Sequence, residues 1–273
     1  MIDEESLLAF ANRFRDRRQL EKDYLLNLML RAIATDGVSE KLVFKGGTAL
    51  AYFYGLDRFS EDLDFSYIFS GGEDVGDAIG AINKGFGRVM LDYGASYAVR
   101  KEKSGILEKD RSGEVIAVRS EVFIEGPLFA KSGRPSKIKI DISLRRDLIA
   151  AKEKAEMFTS KYRDIGSFLI YVMHKDEILA EKLCSLAERA RARDLYDLYF
   201  LVKHGGARFD KEIFASKVKL RHESFGLKDV IGSIRHIGPA LWKEELSYIV
   251  MLLPELEEAK RVSIAALQDA GAG

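Results

Sequence analysis

The chain has 273 residues, 47% apolar and 32% charged, and its 43 basic side chains balance 43 acidic ones. That length buries one sizeable core or two smaller ones, and the zero balance excludes a global field drawing the protein to nucleic acid or membrane, so any polyanion site is a local patch. A single cysteine, Cys184, excludes an intramolecular disulfide and suits a reducing cytoplasm. The opening MIDEESLLAF does not read as a signal peptide, and no apolar run approaches the roughly 18 residues of a membrane span. A soluble, cytoplasmic protein without membrane contact is expected.

From Glu5 to Thr35 apolar residues recur at helical spacing, predicting two helices, the second capped near Gly37. KLVFKGG (41–47) reads as a short strand into a turn, and TALAYFYG (48–55) as a helix opened by Thr48. DLDFSYIF (62–69) alternates as a strand, and a glycine-punctuated helix follows from about Asp74. Strands are then predicted over 95–102, 115–124 and 137–143, with turn chemistry in EKSGILEKDRSG and EGPLFAKSGRPS between them. After Asp147, FLIYVM (168–173) is the last strand-like segment before helix runs from about Asp176 to the end. The expected fold is α+β: a mixed sheet with flanking helices over 1–150, then a mainly helical domain over 151–273.

Within EDLDFS, Leu63 and Phe65 point to one side of the strand while Asp62, Asp64 and Ser66 point to the other. Carboxylates two residues apart on one face repel each other unless water or a cation answers them. They are suited to bracket Mg²⁺, which is commonly shared between one or two carboxylates and substrate phosphates, and equally to line a solvated edge strand. KIKIDIS (137–143) alternates in the same way, with Ile138, Ile140 and Ile142 opposite Lys139 and Asp141. Asp is depleted in strands, so its place here asks for a reason. If the two strands are neighbours, Asp141 becomes a third carboxylate. Three carboxylates behind a glycine turn that opens a helix are what metal-assisted phosphoryl or nucleotidyl transfer requires.

FKGGTALAYFYG, RFSEDLDF, the later KIDIS and DEILAEKLCSLAERARARDLYDLYFL, in that order, resemble the AbiEii/AbiGii nucleotidyltransferase family, many of them toxins of toxin–antitoxin pairs. The resemblance runs from about Val43 to the C-terminus and is weakest over 95–135. It implies a minimal nucleotidyltransferase fold whose helical C-terminal domain completes the nucleotide site. Gly46, Gly47 and Thr48 match a phosphate-contacting turn, with Ser60 close to the nucleotide phosphates or the metal's water shell. Asp62 and Asp64 match metal ligands, for Mg²⁺ or alternatively Mn²⁺. Asp141 matches the third acidic position, as ligand or as general base toward an attacking hydroxyl.

In the helical half, Lys182 lies between Leu179 and Leu186, where a lysine snorkels in any amphipathic helix and where the resemblance places a triphosphate contact. Asp194 and Asp197 neighbour each other on one helix face and call for cations, for which Lys182, Arg189, Arg191 and Arg193 are candidates. A structural ion-pair network accounts for them, and the resemblance makes them part of the nucleotide site, Asp197 first. Arg58 either pairs with phosphate or neutralises Asp57 and Glu61. Trp242, Tyr52 and Tyr54 read as core, and His174 as a surface residue. Residues 131–154 hold eight cations, including Lys137, Lys139, Arg145 and Lys152, against three anions. That excess suits an RNA acceptor, an acidic antitoxin or a solvated loop. The expected activity is Mg²⁺-dependent transfer from an NTP to a tRNA-like or protein acceptor, by a toxin with a possible cognate antitoxin. A partner-regulated NTP-binding module and a small-molecule nucleotidyltransferase are the alternatives.

Overall fold

The computed structural model describes residues 1–97, 99–150, 154–221 and 223–272. Two compact units divide the chain, Met1–Ala49, Ser60–Leu148 and Glu153–Val172 in one, and Leu50–Phe59, Ile149–Lys152 and Met173–Gly273 in the other.

The first unit opens with α1 (Glu4–Leu8), a 3-10 turn, and α2 (Arg17–Thr35). Asp16 starts α2 by accepting from the backbone N–H groups of Arg18 and Gln19. The predicted glycine cap at its other end is not there. Asp36 is the extended C-cap, and its side chain accepts from Val38 to begin a 3-10 turn over Gly37–Lys41. Next come β1 (Leu42–Lys45), α3 (Gly46–Phe53), β2 (Asp62–Tyr67), α4 (Val75–Tyr97), β3 (Val99–Lys109), β4 (Val115–Ile124), α5 (Phe129–Ser132), β5 (Ser136–Ser143), β6 (Lys154–Phe158) and β7 (Phe168–Val172). Among the described residues the strands form one mixed seven-stranded sheet, in the order β3-β4-β5-β2-β1-β7-β6. β2 pairs antiparallel with β1 and parallel with β5.

The strand expected over 95–102 begins later and runs further. Residues 95–97 end α4, residue 98 lies outside the described residues, and β3 reaches Lys109. Ser104 and Gly105 read as turn formers, yet they pair with Ser120 and Arg119 in a hairpin whose turn is confined to Asp110–Gly113. β6 was not expected either. Its residues are mostly exposed because it lies at the sheet's edge, so it lacks the apolar alternation that marks a half-buried strand.

One face of the central strands is dry. Leu63, Phe65, Ile138 and Ile140 are fully buried, and α2, whose Leu20, Tyr24, Leu25 and Met29 are buried as well, packs on β2, β5 and β7. The polar residues of β2 and β5 therefore share the opposite face.

The second unit is helical: α6 (Lys175–Arg189), α7 (Ala192–Lys203), α8 (Lys211–Leu220), α9 (Leu227–His236), α10 (Pro239–Leu246) and α11 (Leu256–Ala272). Leu179, Leu183, Leu186, Leu195, Leu198 and Leu201 close its core. Trp242 is buried, as expected, and its indole N–H donates to the Pro254 carbonyl. His174 caps α6, accepting from the Asp176 N–H. Lys217 is fully enclosed but neutralised by Glu177 at 2.8 Å and Glu181 at 3.1 Å. No described helix is long and apolar enough to cross a membrane.

If the β2–β5 core organises the first unit, Ile140→Ala should cost about 3 kcal/mol of unfolding free energy, by lost transfer and a residual cavity. Met157→Ala, at a side chain 58% exposed on β6, should stay within about 0.5 kcal/mol. Urea unfolding of both variants checks the contrast.

Candidate active site

The pairing register brings charged residues of four strands into one line. Lys45 on β1 is the Cα partner of Asp64 on β2, Asp64 of Asp141 on β5, and Asp141 of Arg119 on β4. Directly opposed residues stand on the same face of a sheet, so the line reads plus, minus, minus, plus. Asp62, two residues before Asp64, shares that face and sits opposite Lys139, whose Nζ lies 4.0 Å from Oδ1. The adjacency on which a third carboxylate depended is therefore present.

Each end of the line is tied. Arg119 donates from Nε to Asp141 Oδ1 and from Nη2 to Oδ2, both at 2.6 Å. Burial opposes the charge on Arg119 less than this hydrogen-bonded pair favours it, so its guanidinium is held above its ordinary value. Lys45 Nζ donates to Asp147 Oδ2 at 3.0 Å, and that oxygen also accepts from Ser143 Oγ at 2.9 Å. Arg119 and Lys45 were not singled out in the sequence. The alternation in AVRSEVF puts Arg119 on a polar face, but only the register shows which carboxylate it meets.

The glycine turn abuts the acidic strand. β1 ends at Lys45 and α3 starts at Gly46, two residues before the predicted Thr48, so Gly46 and Gly47 lie in the helix's first turn. Gly46 has φ +77°, and a Cβ there would fall on Asp64 Oδ2 and 3.0 Å from the Asp64 Cβ and Cγ. Only glycine combines that conformation with so close an approach. Thr48 is not a cap. Its buried hydroxyl donates to the Asp62 carbonyl at 2.5 Å and lies 2.8 Å from Ser60 Oγ. Gly46, Gly47, Thr48, Ser60, Asp62, Asp64 and Asp141 thus all belong to one corner of the first unit.

Among the described residues no three carboxylate, imidazole or thiol groups converge as a finished metal cage. Mg²⁺ does not ask for one, since it keeps waters and completes its octahedron with substrate phosphate oxygens. Asp62 and Asp64, on one face beside a helix N-terminus, fit that sharing of ligands.

Lys182, Asp194 and Asp197 come together inside the second unit. Arg58 grips Asp197 through two bonds, Nε to Oδ1 at 2.5 Å and Nη2 to Oδ2 at 2.8 Å. Lys182 Nζ lies 2.6 Å from Asp197 and 3.1 Å from Asp194, and Arg189 Nε donates to Asp194 at 2.9 Å. Both aspartate side chains have no exposed surface, and that of Lys182 is 11% exposed. Burial alone would push the Asp194 carboxyl up, but Lys182 and Arg189 outweigh it and hold it at about 2. Asp197 is likewise held below the ordinary range, burial being overcome by Arg58 and Lys182. Arg58 therefore answers Asp197, not the adjacent Asp57 and Glu61. Asp57 accepts instead from the Tyr196 hydroxyl. Of the other candidate cations for this pair, Arg191 bonds Glu245.

The basic stretch is dispersed. Lys131 pairs with Glu4, Lys137 with Glu121 and Arg145 with Glu108, Arg146 lies over the Phe69 ring, and Lys152 is outside the described residues.

The sequence family described as nucleotidyl transferase AbiEii toxin, type IV TA system, matches residues 27–268. Among solved structures, the nucleotidyltransferase toxin MenT4 of Mycobacterium tuberculosis H37Rv is similar at a TM-score of 0.58 and 18% identity, covering 98% of this chain and 90% of its own. JHP933 from Helicobacter pylori is similar at a TM-score of 0.52 and 20% identity, covering 94% and 93%. At such identities these two show a common fold. No curated protein matches the chain.

Two measurements check this geometry. Gly46→Ala should be markedly more destabilising than Gly72→Ala. Gly72 has nearly the same φ, +78°, with nothing within 4 Å of a Cβ, so it reports backbone strain alone, roughly 1 kcal/mol. The excess at Gly46 measures the displacement of Asp64. The second measurement uses pH. A carboxyl lowered from 3.8 to about 2 on folding adds stability that is present above its unfolded value and lost as pH falls through its folded one. For Asp194 that increment is on the order of 2 kcal/mol. In urea unfolding, the gap between wild type and Asp194→Asn should close as pH is lowered from about 5 towards 2.

Proposed function

The chain belongs to the AbiEii nucleotidyltransferase toxin family, and from that membership we propose that it transfers a nucleotide from an NTP to an RNA acceptor, with Mg²⁺ or Mn²⁺ held at Asp62 and Asp64. It is a nucleotidyltransferase toxin of the type IV toxin–antitoxin class, with a nucleotide substrate and a cognate antitoxin as partner. The observation that carries the finer reading is the register that sets Asp64 beside Asp141, with Asp62 on the same face and Gly46 against the Asp64 carboxylate. A site that only binds nucleotide has no need of a third carboxylate.

When bound, the divalent cation supplies charge neutralisation and alignment at the α-phosphate. The chain's own groups do the rest. The backbone N–H groups at the start of α3 point to phosphate oxygens, aided by the helix dipole. Ser60, held by Thr48, offers a hydroxyl on the same corner. An acceptor hydroxyl oxygen attacks the α-phosphorus, the bond from that phosphorus to the β-phosphate oxygen breaks, and pyrophosphate leaves. Asp141 takes the hydroxyl proton. Lys139, beside Asp62, favours an RNA acceptor by supplying positive charge next to the carboxylates. In the second unit Lys182 is proposed as a phosphate contact. Asp194 and Asp197, fully buried, act as positioning residues for that lysine.

The test is to incubate the purified protein with each labelled NTP, Mg²⁺ and total tRNA, with Asp62→Ala alongside. Label should appear on RNA with at least one NTP and fall by roughly 10²–10³-fold in the variant. Label on protein would move the acceptor class. Metal-dependent NTP binding without label on either would favour the binding-module reading.

A further inference from the structure

We infer that Arg119 is the positioning residue that governs cation uptake, clamping Asp141 in a two-bond grip that a divalent ion must open before Asp141 can serve as ligand or base. The inference rests on the metal-dependent reading above and adds to it a residue that competes with the metal.

Three observations carry it. The first is occupancy: both Asp141 oxygens accept from one guanidinium at 2.6 Å, the bidentate geometry in which a carboxylate is held most firmly. A divalent cation drawn to the same oxygens would stand against a fixed positive charge, so clamp and ligation oppose each other. The second is location. The clamp closes one end of the line Lys45–Asp64–Asp141–Arg119, and the partner of Lys45 shown at the other end, Asp147, lies off that line.

The third is exposure, for which the buried fork of Arg58 and Asp197 supplies the contrast. Arg58 and Asp197 have side chains 6% and 0% exposed, so opening that pair would strand a charge in a dry interior. Arg119 and Asp141 are 33% and 22% exposed, and water can solvate both when they part. The bonding is alike in the two pairs, and of these two the exposed one costs less to part.

The test is a Mn²⁺ titration of the full chain, reading free Mn²⁺ by electron paramagnetic resonance. The variants are Arg119→Ala, Arg119→Lys, Asp64→Asn, Asp141→Asn and the double variant Arg119→Ala/Asp141→Asn. Freeing Asp141 should tighten Mn²⁺ binding about tenfold in Arg119→Ala. Arg119→Lys should show a smaller gain, between wild type and Arg119→Ala, because it keeps the charge but cannot fork. In the Asp141→Asn background the Arg119→Ala effect should nearly vanish. Unchanged affinity in Arg119→Ala, wild-type affinity in Arg119→Lys, or a full effect surviving in the double variant would each overturn the clamp. Should Asp64→Asn leave Mn²⁺ binding untouched, the cation is not on this line, and the metal reading falls together with the clamp. Loss of binding in Asp64→Asn with no change in Arg119→Ala would remove the clamp alone.

Discussion

The parallel pairing of β2 with β5 is the constraint on which the site depends. It sets Asp64 opposite Asp141 while burying Leu63 and Phe65 with Ile140 and Ile142 on the other face. Side chains alternate strictly, so a slip of one residue would drive the carboxylates into the apolar layer beneath α2 and lift isoleucines into water. The register that builds the core is therefore the register that builds the site. Like charges held that way repel, and Arg119 from β4 answers Asp141 with two bonds, while Lys45 from β1 stands opposite Asp64 in the register and bonds Asp147. The sheet tolerates its acidic line because cations bound it.

Two of the arginine–aspartate forks, alike in their bonding, differ in burial. In the second unit, Arg58, Lys182 and Arg189 surround two aspartates with no exposed surface, and all five groups keep their charges because each has partners. Removing Asp197 there strips the buried Arg58 of its paired carboxylate, the kind of loss that typically costs 3–5 kcal/mol. The Arg119–Asp141 fork lies where water reaches both groups, so parting it strands neither charge in a dry interior.

The alternation in EDLDFS and KIKIDIS made the two faces legible, and with them the core residues and the three carboxylates. Strand adjacency was a condition left open, because a local pattern does not encode which strands are neighbours. The same limit hid the partner of Arg58: Asp57 and Glu61 are near in sequence, while Asp197 is 139 residues away. β6 escaped because an exposed edge strand carries no apolar period, and β3 was cut short because Gly105 signals a turn by composition though it pairs in a hairpin. Gly46 was recognisable as a turn glycine. That it must be glycine for the sake of Asp64 is a fact of three-dimensional contact.

That contact also says where the corner can move. Gly46 lies against the Asp64 carboxylate, and Thr48 ties the first turn of α3 to the Asp62 carbonyl and to Ser60. The glycine turn and acidic strand are thus tied into one piece, so the first turn of α3 and the carboxylates of β2 keep their spacing. Preorganisation of this kind lowers the entropy lost on binding, but it leaves the backbone little room to adapt to a cation. Accommodation then falls to long side chains rooted on β4 and β5, and of these Arg119 and Lys139 are the ones that touch the carboxylates.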